Sequence, residues 1–508
     1  MFKKERIKDI IIKNKWDILI ILIYAIITFI ITIIFHEKWR DEAQAWLISR
    51  DLNIFQIIKQ MSYEGHPPVW HIILFPFAKL GFPYITESLI SWIIMVITAC
   101  IVFFKLPFKK EIKILVLLTF PFLYLYPTIS RSYCLIPLAM SLIGVYYPQR
   151  KHKLIKYTLS ILLLAYTHVI MLGLVGMLFL FFFLEEMFYI KKTKLEKKKL
   201  IISIIIAVLG LLCLFFILLG STSKNSEIPL NNQSIYFSVI RIKLTITSIC
   251  RDIMGPITYY IGFKFYFILW VVLAMIWQLK KDNKGLLIMI ISIIWQIVIY
   301  LFIFGSSEQK SNTIFLIVLL IAWMNYYSED YKIESKFIKK IYNIVKYGFI
   351  IIMILNSMNG ISYISSEIGK NYSNAKETAV YIEENIQDNS IFVCLHAPTA
   401  SAIIPYTNNK KFWNPSSKKY FTYVTWDKVS NTYLTPKQAV NTIKDNFKKG
   451  ENVYIIESNT LYKDEFNELE KNNNLSKIFE INNNSMMADE EYYYIYKINT
   501  VENKNEET

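Results

Sequence analysis

The sequence predicts a polytopic α-helical membrane protein of about eleven spans with a small extracytoplasmic α/β domain at its C-terminus. Three observations predict it. The 508 residues are 54% hydrophobic and 16% aromatic, too apolar for a chain whose main solvent is water. Apolar runs approaching the ~20 residues that cross a bilayer recur as far as residue 364. From Glu367 onward the composition turns to Asn, Lys, Glu and Tyr, and strand-like runs alternate with helical ones.

The basic start MFKKERIKDIIIKNK precedes an apolar run from Asp17 to Phe35 with no cleavage site behind it, so it reads as a retained first span. Further spans are expected at 85–104, 113–129, 132–148, 155–167, 169–190, 200–220, 257–278, 285–304, 311–327 and 344–364. With these, the basic clusters Lys3–Lys15, Lys105–Lys113, Arg150–Lys156, Lys191–Lys199, Lys280–Lys284 and Lys332–Lys346 all fall on the cytoplasmic side. Counting 67–80 as a twelfth span would break that agreement, so it is expected as a short interfacial helix. The N-terminus is then cytoplasmic. Phe35–Tyr84, the turns at Ser130–Arg131 and Thr167–His168, segments 221–256 and 305–310, and the C-terminus lie outside. The expected division is a membrane domain, 1–366, and a soluble domain, 367–508. In the latter, strands are expected at 391–395, 420–424, 453–456 and 492–496, and helices at 374–386, 436–448 and 463–471.

The net charge of +16 is distributed as clusters between apolar runs, which reads as topology and excludes a nucleic-acid partner. Cys100, Cys134, Cys213, Cys250 and Cys394 are scattered without CxxC spacing, so neither a disulfide framework nor a zinc site is expected.

Chemistry concentrates in the first outer loop, where RDEAQAW (Arg40–Trp46) and EGHPPVWH (Glu64–His71) place carboxylates near one interface. Asp41 with Gln44 has the N-cap and N3 pattern of a capping box, and a capping role is compatible with a catalytic one. Ile54, Ile57, Ile58 and Met61 have the spacing of an amphipathic helix that would fold Glu64 and His66 back toward Asp41. Gly65 permits a turn, with His66 at the cap and Pro67 at the first helical position of the next helix. Glu64 and His66 are candidate ligands for a divalent metal, but a carboxylate and an imidazole make an incomplete set, which leaves metal dependence open.

The paired motifs DEAQAW and EGHPPVWH behind a first span resemble the first-loop signature of bacterial GT-C glycosyltransferases related to protein O-mannosyltransferases and lipid A aminoarabinose transferases. The resemblance implies a GT-C-like fold and a polyprenyl-phosphate sugar donor in the membrane lipid. The sugar would pass, with inversion, to an extracytoplasmic protein, lipid or glycan. It makes Asp41 the catalytic carboxylate, with Glu42 beside it, and places Arg131 and Tyr133 of the SRSY run near the lipid phosphate. A planar guanidinium matches phosphate oxygens, so Arg131 is the leading donor-binding candidate; Lys310, Arg241, Lys243 and Arg251 are reserves, and His168 is a further candidate to line the site. Relatives place Arg-His in the turn before a late span, whereas this chain has Lys310, Ser311 and Asn312.

Two other classes compete. A multi-pass transporter or flippase of a lipid-linked substrate requires ionisable residues in mid-membrane and broken helices repeated in two halves, but the charges here gather at helix ends. A non-catalytic scaffold gives no reason for Asp41, Glu42, Glu64 and His66 to converge.

Overall fold

The computed structural model describes residues 15–499, apart from 189–192, 220–234, 260, 329–334, 409, 428, 431, 433, 449, 459–461, 483, 484 and 488–490. The basic start 1–14, Lys191, Lys332, the end of the span expected at 200–220, residues 221–234 of the segment expected outside, and the tail 501–508 lie outside the described residues. The chain falls into two compact units: Met1–Ile34, Ser88–Phe216 and Glu227–Ile364 form the first, and Phe35–Glu87, Ile217–Ser226 and Ser365–Thr508 the second.

The first unit is helical and makes the chain a multi-pass membrane protein. Six helices among the described residues are long and apolar enough to cross a bilayer: Lys15–Phe35, Thr86–Lys105, Val169–Phe188, Lys194–Leu218, Asn283–Phe302 and Lys336–Gly369. Their outward side chains include Leu22, Ile26, Ile34 and Phe216, which are more than half exposed. Such exposure is a liability in water and is what hydrocarbon accommodates. Helices also occupy the other expected spans. Those at Leu135–Tyr146 and Leu154–Ala165 have only 12 residues each, while Ile261–Lys281 and Glu308–Asn325 are longer.

The span expected at 113–129 is not straight. It breaks into Lys110–Leu118 and Pro121–Thr128, bent by 57°, because Pro121 cannot donate to the preceding turn. Side chains satisfy the backbone at the break: Phe120 N donates to Asn356 Oδ1 at 2.9 Å, and Thr119 Oγ1 donates to Val116 O at 2.6 Å. The segment 221–256 contains a helix, Ile235–Met254, that the reading of the sequence did not anticipate.

In the second unit, helices Arg40–Asp51, Ile54–Glu64 and Val69–Lys79 follow one another. The last is the short helix expected at 67–80. It starts at Val69, with Pro68 rather than His66 as its cap. Gly65 ends Ile54–Glu64 in the left-handed region, φ 69°, its N–H on Met61 O. The amphipathic pattern of that helix buries Ile57 and Met61 but leaves Ile54 exposed.

The same unit holds a six-stranded sheet: β1 (Ile391–Cys394), β2 (Lys411–Asn414), β3 (Lys419–Tyr420), β4 (Val453–Glu457), β5 (Leu475–Ile481) and β6 (Tyr493–Ile498), in the order β3-β2-β1-β4-β6-β5. β1 runs parallel to β2 and β4, and the remaining pairings are antiparallel. β1 and β4 are buried along their length, as central parallel strands require. Helices Pro436–Asn446 and Lys463–Lys471 cover one face through Ala439, Val440, Ile443, Phe466 and Leu469, packed on Val393, Trp413 and Ile455. The strand expected at 420–424 ends at Tyr420. Val424 gives its backbone to a side chain instead: its N–H donates to Gln44 Oε1 at 2.9 Å, and its carbonyl accepts from Gln44 Nε2 at 2.7 Å.

Candidate active site

The first candidate cluster is built on the start of helix Arg40–Asp51. Its N-cap is Trp39, so Asp41 is a first-turn residue rather than the cap, and Gln44 is not the capping-box partner. Glu42 occupies N3 instead, and its Oε2 accepts the Trp39 N–H at 3.3 Å. The Arg40 N–H, a second donor without a partner inside the helix, goes to Glu491 Oε1 at 3.0 Å. With these partners in place, the helix begins two residues earlier than the spacing suggested.

Asp41 is thereby left on the surface of the first turn. Its side chain keeps about a third of its exposure, 30%, with Arg40 Nε 3.7 Å from Oδ1. Glu42, by contrast, is fully buried. His36 Nε2 lies 3.1 Å from Glu42 Oε2, and His36 Nδ1 lies 2.5 Å from Glu367 Oε1. Tyr372 packs on the imidazole at 4.7 Å between ring centres. Burial on its own would lower the His36 pKa, but the two flanking carboxylates outweigh it and raise it to about 10. His36 is therefore an imidazolium. Lys38 is equally enclosed: its ammonium donates to Tyr84 O at 2.5 Å, lies 3.2 Å from the Tyr84 ring centre, and stands 3.9 Å from Glu87. Burial brings its pKa down to about 8 against the pull of Glu87 and Glu42.

Two more carboxyls adjoin Asp41. Glu64 accepts from Gln44 Nε2 at 2.8 Å and Gln60 Nε2 at 3.2 Å. Burial, aided by the charge of Asp41, raises its pKa to about 7. Glu491, held by the Arg40 N–H and the Ser373 hydroxyl, is raised to about 7 for the same reasons in the same order. Asp41, Glu42 and Glu64 thus come together, and His66 follows Glu64 beyond the Gly65 turn. Among the described residues, no group of three or more His, Cys, Asp or Glu could hold a metal ion.

The second cluster belongs to the membrane unit. Tyr133 Oη is 3.1 Å from His168 Nε2, with the rings stacked at 5.1 Å. His168 Nδ1 accepts from Ile170 N at 3.2 Å, so the neutral ring carries its proton on Nε2 and the phenol oxygen accepts it. The Arg131 guanidinium stands 5.6 Å from the Tyr133 ring. Lys310 covers Phe304 at 4.4 Å, and Phe304 meets His168 edge-on at 5.6 Å. Arg131, Tyr133, His168 and Lys310 are therefore one group. Of the reserves, Arg241 and Lys243 are exposed on helix Ile235–Met254, and Arg251 is bound to Asp252 at 3.1 Å.

Reasoning from the sequence missed His36, Lys38, Glu87, Glu367 and Glu491 in the first cluster. His36 and Lys38 carried a usable signal, charges directly behind a span and beside the DEAQAW run. It also missed Asp252, buried in the membrane unit with Ser311 Oγ at 2.7 Å from its Oδ2 and Asn312 on its carbonyl at 3.1 Å.

No protein-family profile matches the chain, and no curated protein matches it. Solved structures do. ArnT from Cupriavidus metallidurans bound to undecaprenyl phosphate superposes with a TM-score of 0.55 at 10% identity, covering 95% of this chain and 98% of that one. The apo ArnT from the same organism gives 0.54 at 9% identity, covering 96% and 98%. The likeness is one of fold, extends over nearly the whole of both chains, and is the fold that the paired first-loop motifs led one to expect.

Proposed function

We propose that this protein is a membrane glycosyltransferase that moves a sugar from a polyprenyl-phosphate carrier to an extracytoplasmic acceptor with inversion. The observation that carries the reading is the end-to-end fold likeness to an ArnT solved with undecaprenyl phosphate. In the proposed reaction an acceptor hydroxyl attacks the anomeric carbon as the bond to the carrier phosphate breaks. Asp41 takes the hydroxyl proton as general base. Arg131 and Lys310 neutralise the departing phosphate, aided by Tyr133 and His168 as hydrogen-bonding groups. Glu42 positions the helix that bears Asp41. Glu64 and Glu491, with pKa values near 7, buffer the proton beside it, and His66 lines the same loop.

The direct test is purified protein in lipid with a panel of polyprenyl-phosphate sugars, scored by release of polyprenyl phosphate. Arg131→Ala is expected to weaken donor use strongly in that assay and Arg131→Lys to rescue it only in part, since an ammonium lacks the bidentate fork. Wild-type donor kinetics in Arg131→Ala would remove Arg131 from the site.

The proposal includes eleven spans, a cytoplasmic N-terminus and an exported soluble domain from residue 367, supported by the positions of the basic clusters. A reporter at Asn473 is expected on the extracytoplasmic face and one at Lys194 on the cytoplasmic face. A cytoplasmic Asn473 would overturn this topology.

A further inference from the structure

We infer that the second unit carries a binding cleft for an anionic glycan, between the end of helix Arg40–Asp51 and the β2–β3 edge of its sheet. The cleft encloses about 560 Å³, within the size range of ligand sites. Arg50, Lys410 and Lys411 supply cations to its wall, Phe412, Tyr420 and Phe421 supply aromatic rings, and no lining residue is acidic.

The cations are fixed to different degrees. Arg50 is held by Asp51 through bonds of 2.7 and 3.0 Å. Lys410 is held by Asp388 at 3.1 Å and by Ile386 O at 2.7 Å, its side chain almost fully covered. Lys411 has no carboxylate partner among the described residues, nor do Lys418 and Lys419, exposed on the adjoining hairpin. The edge of the cleft therefore carries cations in excess of its carboxylates, which favours an anion.

The rings favour something flat. Phe412 is locked by Phe392 at 5.5 Å and touches Phe421 at 6.5 Å, while Tyr420 projects with 55% of its surface exposed. An apolar peptide would leave the ammonium groups idle, and a bare phosphate would leave the rings idle. A charged sugar ring uses both, with its C–H face on an aromatic and its acid group on a lysine. If the chain is the glycosyltransferase proposed above, the cleft holds the acceptor; its role rests on that reading, but its binding does not.

The test measures binding of fluorescent tetragalacturonate to the full-length protein in lipid nanodiscs, with maltotetraose and inorganic tripolyphosphate as comparisons. Saturable tetragalacturonate binding is expected, weakened roughly tenfold or more by Lys411→Glu and by Tyr420→Ala. Both are surface changes, and binding of a dansylated polyprenyl phosphate is expected to stay unchanged in both, as a check on folding. The inference is overturned by absence of binding, by equal binding of either comparison compound, or by indifference to both substitutions. Variant-sensitive probe binding without any sugar transfer would overturn the glycosyltransferase reading alone, and transfer without probe binding would overturn the cleft alone.

Discussion

Asp41→Asn is expected to abolish sugar transfer while leaving the protein folded and inserted. The cap of helix Arg40–Asp51 is supplied by Trp39, Glu42 and Glu491, so Asp41 makes no contribution to it. Asparagine keeps the shape of the side chain and removes its charge and basicity. Loss of a general base costs on the order of 100-fold to 10,000-fold in rate. Asp41→Ala is a useful contrast because it removes no cap either. It is expected to be as stable as Asp41→Asn and equally inactive, unlike a true N-cap, where alanine costs about 1 kcal/mol. A second readout separates electrostatics from structure. Asp41 is one of the charges that raise Glu64 and Glu491, so both carboxyls are expected to titrate lower in Asp41→Asn. Near-normal turnover in Asp41→Asn would move the catalytic assignment to Glu64, the adjoining carboxyl with its pKa near 7.

Much of this was legible in the sequence, and what was hidden has physical causes. Long apolar runs announce themselves because a spanning helix needs about 20 apolar residues, so Lys15–Phe35 and Thr86–Lys105 fall within two residues of their expected ends. The break at Thr119–Pro121 was signalled by the proline, but its partner Asn356 lies 236 residues away. In the six-stranded sheet, β1 and β4 were visible as continuous apolar runs. β5 escaped because its residues are mostly exposed or half-buried, giving no alternation to read. The first-loop motifs pointed to Asp41 and Glu64, and the charge of Asp41 acts on Glu64. They could not reveal Glu367 or Glu491, since a carboxylate that closes a site from hundreds of residues away leaves no local spacing. The capping reading of Asp41 failed because Trp39 and Glu42 form the box two residues earlier, and Glu491 supplies the acceptor for Arg40 N–H that local sequence does not contain.

Replacing His36 by glutamine is expected to loosen helix Arg40–Asp51 at neutral pH, and the loss should shrink as the pH rises. His36 sits between Glu42 and Glu367 with no exposed side-chain surface. Without its charge, two buried carboxylates share one site with no cation between them, and breaking a buried ion pair in this way costs roughly 3–5 kcal/mol. Glutamine supplies one donor nitrogen where imidazolium has two, and no charge. The pH dependence follows from the shift. The folded pKa is raised to about 10 from an ordinary 6.5, so the stabilisation is complete below about pH 6.5 and is lost as pH climbs toward 10. Other groups titrate nearby with different signs. Glu64 and Glu491, raised to about 7 from 4.5, lose their contribution as pH rises toward 7. Lys38, lowered to about 8 from 10.5, sheds its burial penalty as pH rises from 8. Wild type and His36→Gln share these titrations, so they cancel in the difference between the two proteins. The measurement is hydrogen-exchange protection of the amides of helix Arg40–Asp51, corrected for intrinsic exchange, at intervals between pH 6.5 and 10. The gap in protection between wild type and variant is expected to be widest at pH 6.5 and to close by pH 10. A gap that stays constant across this range would mean that His36 fills space in the network without carrying charge.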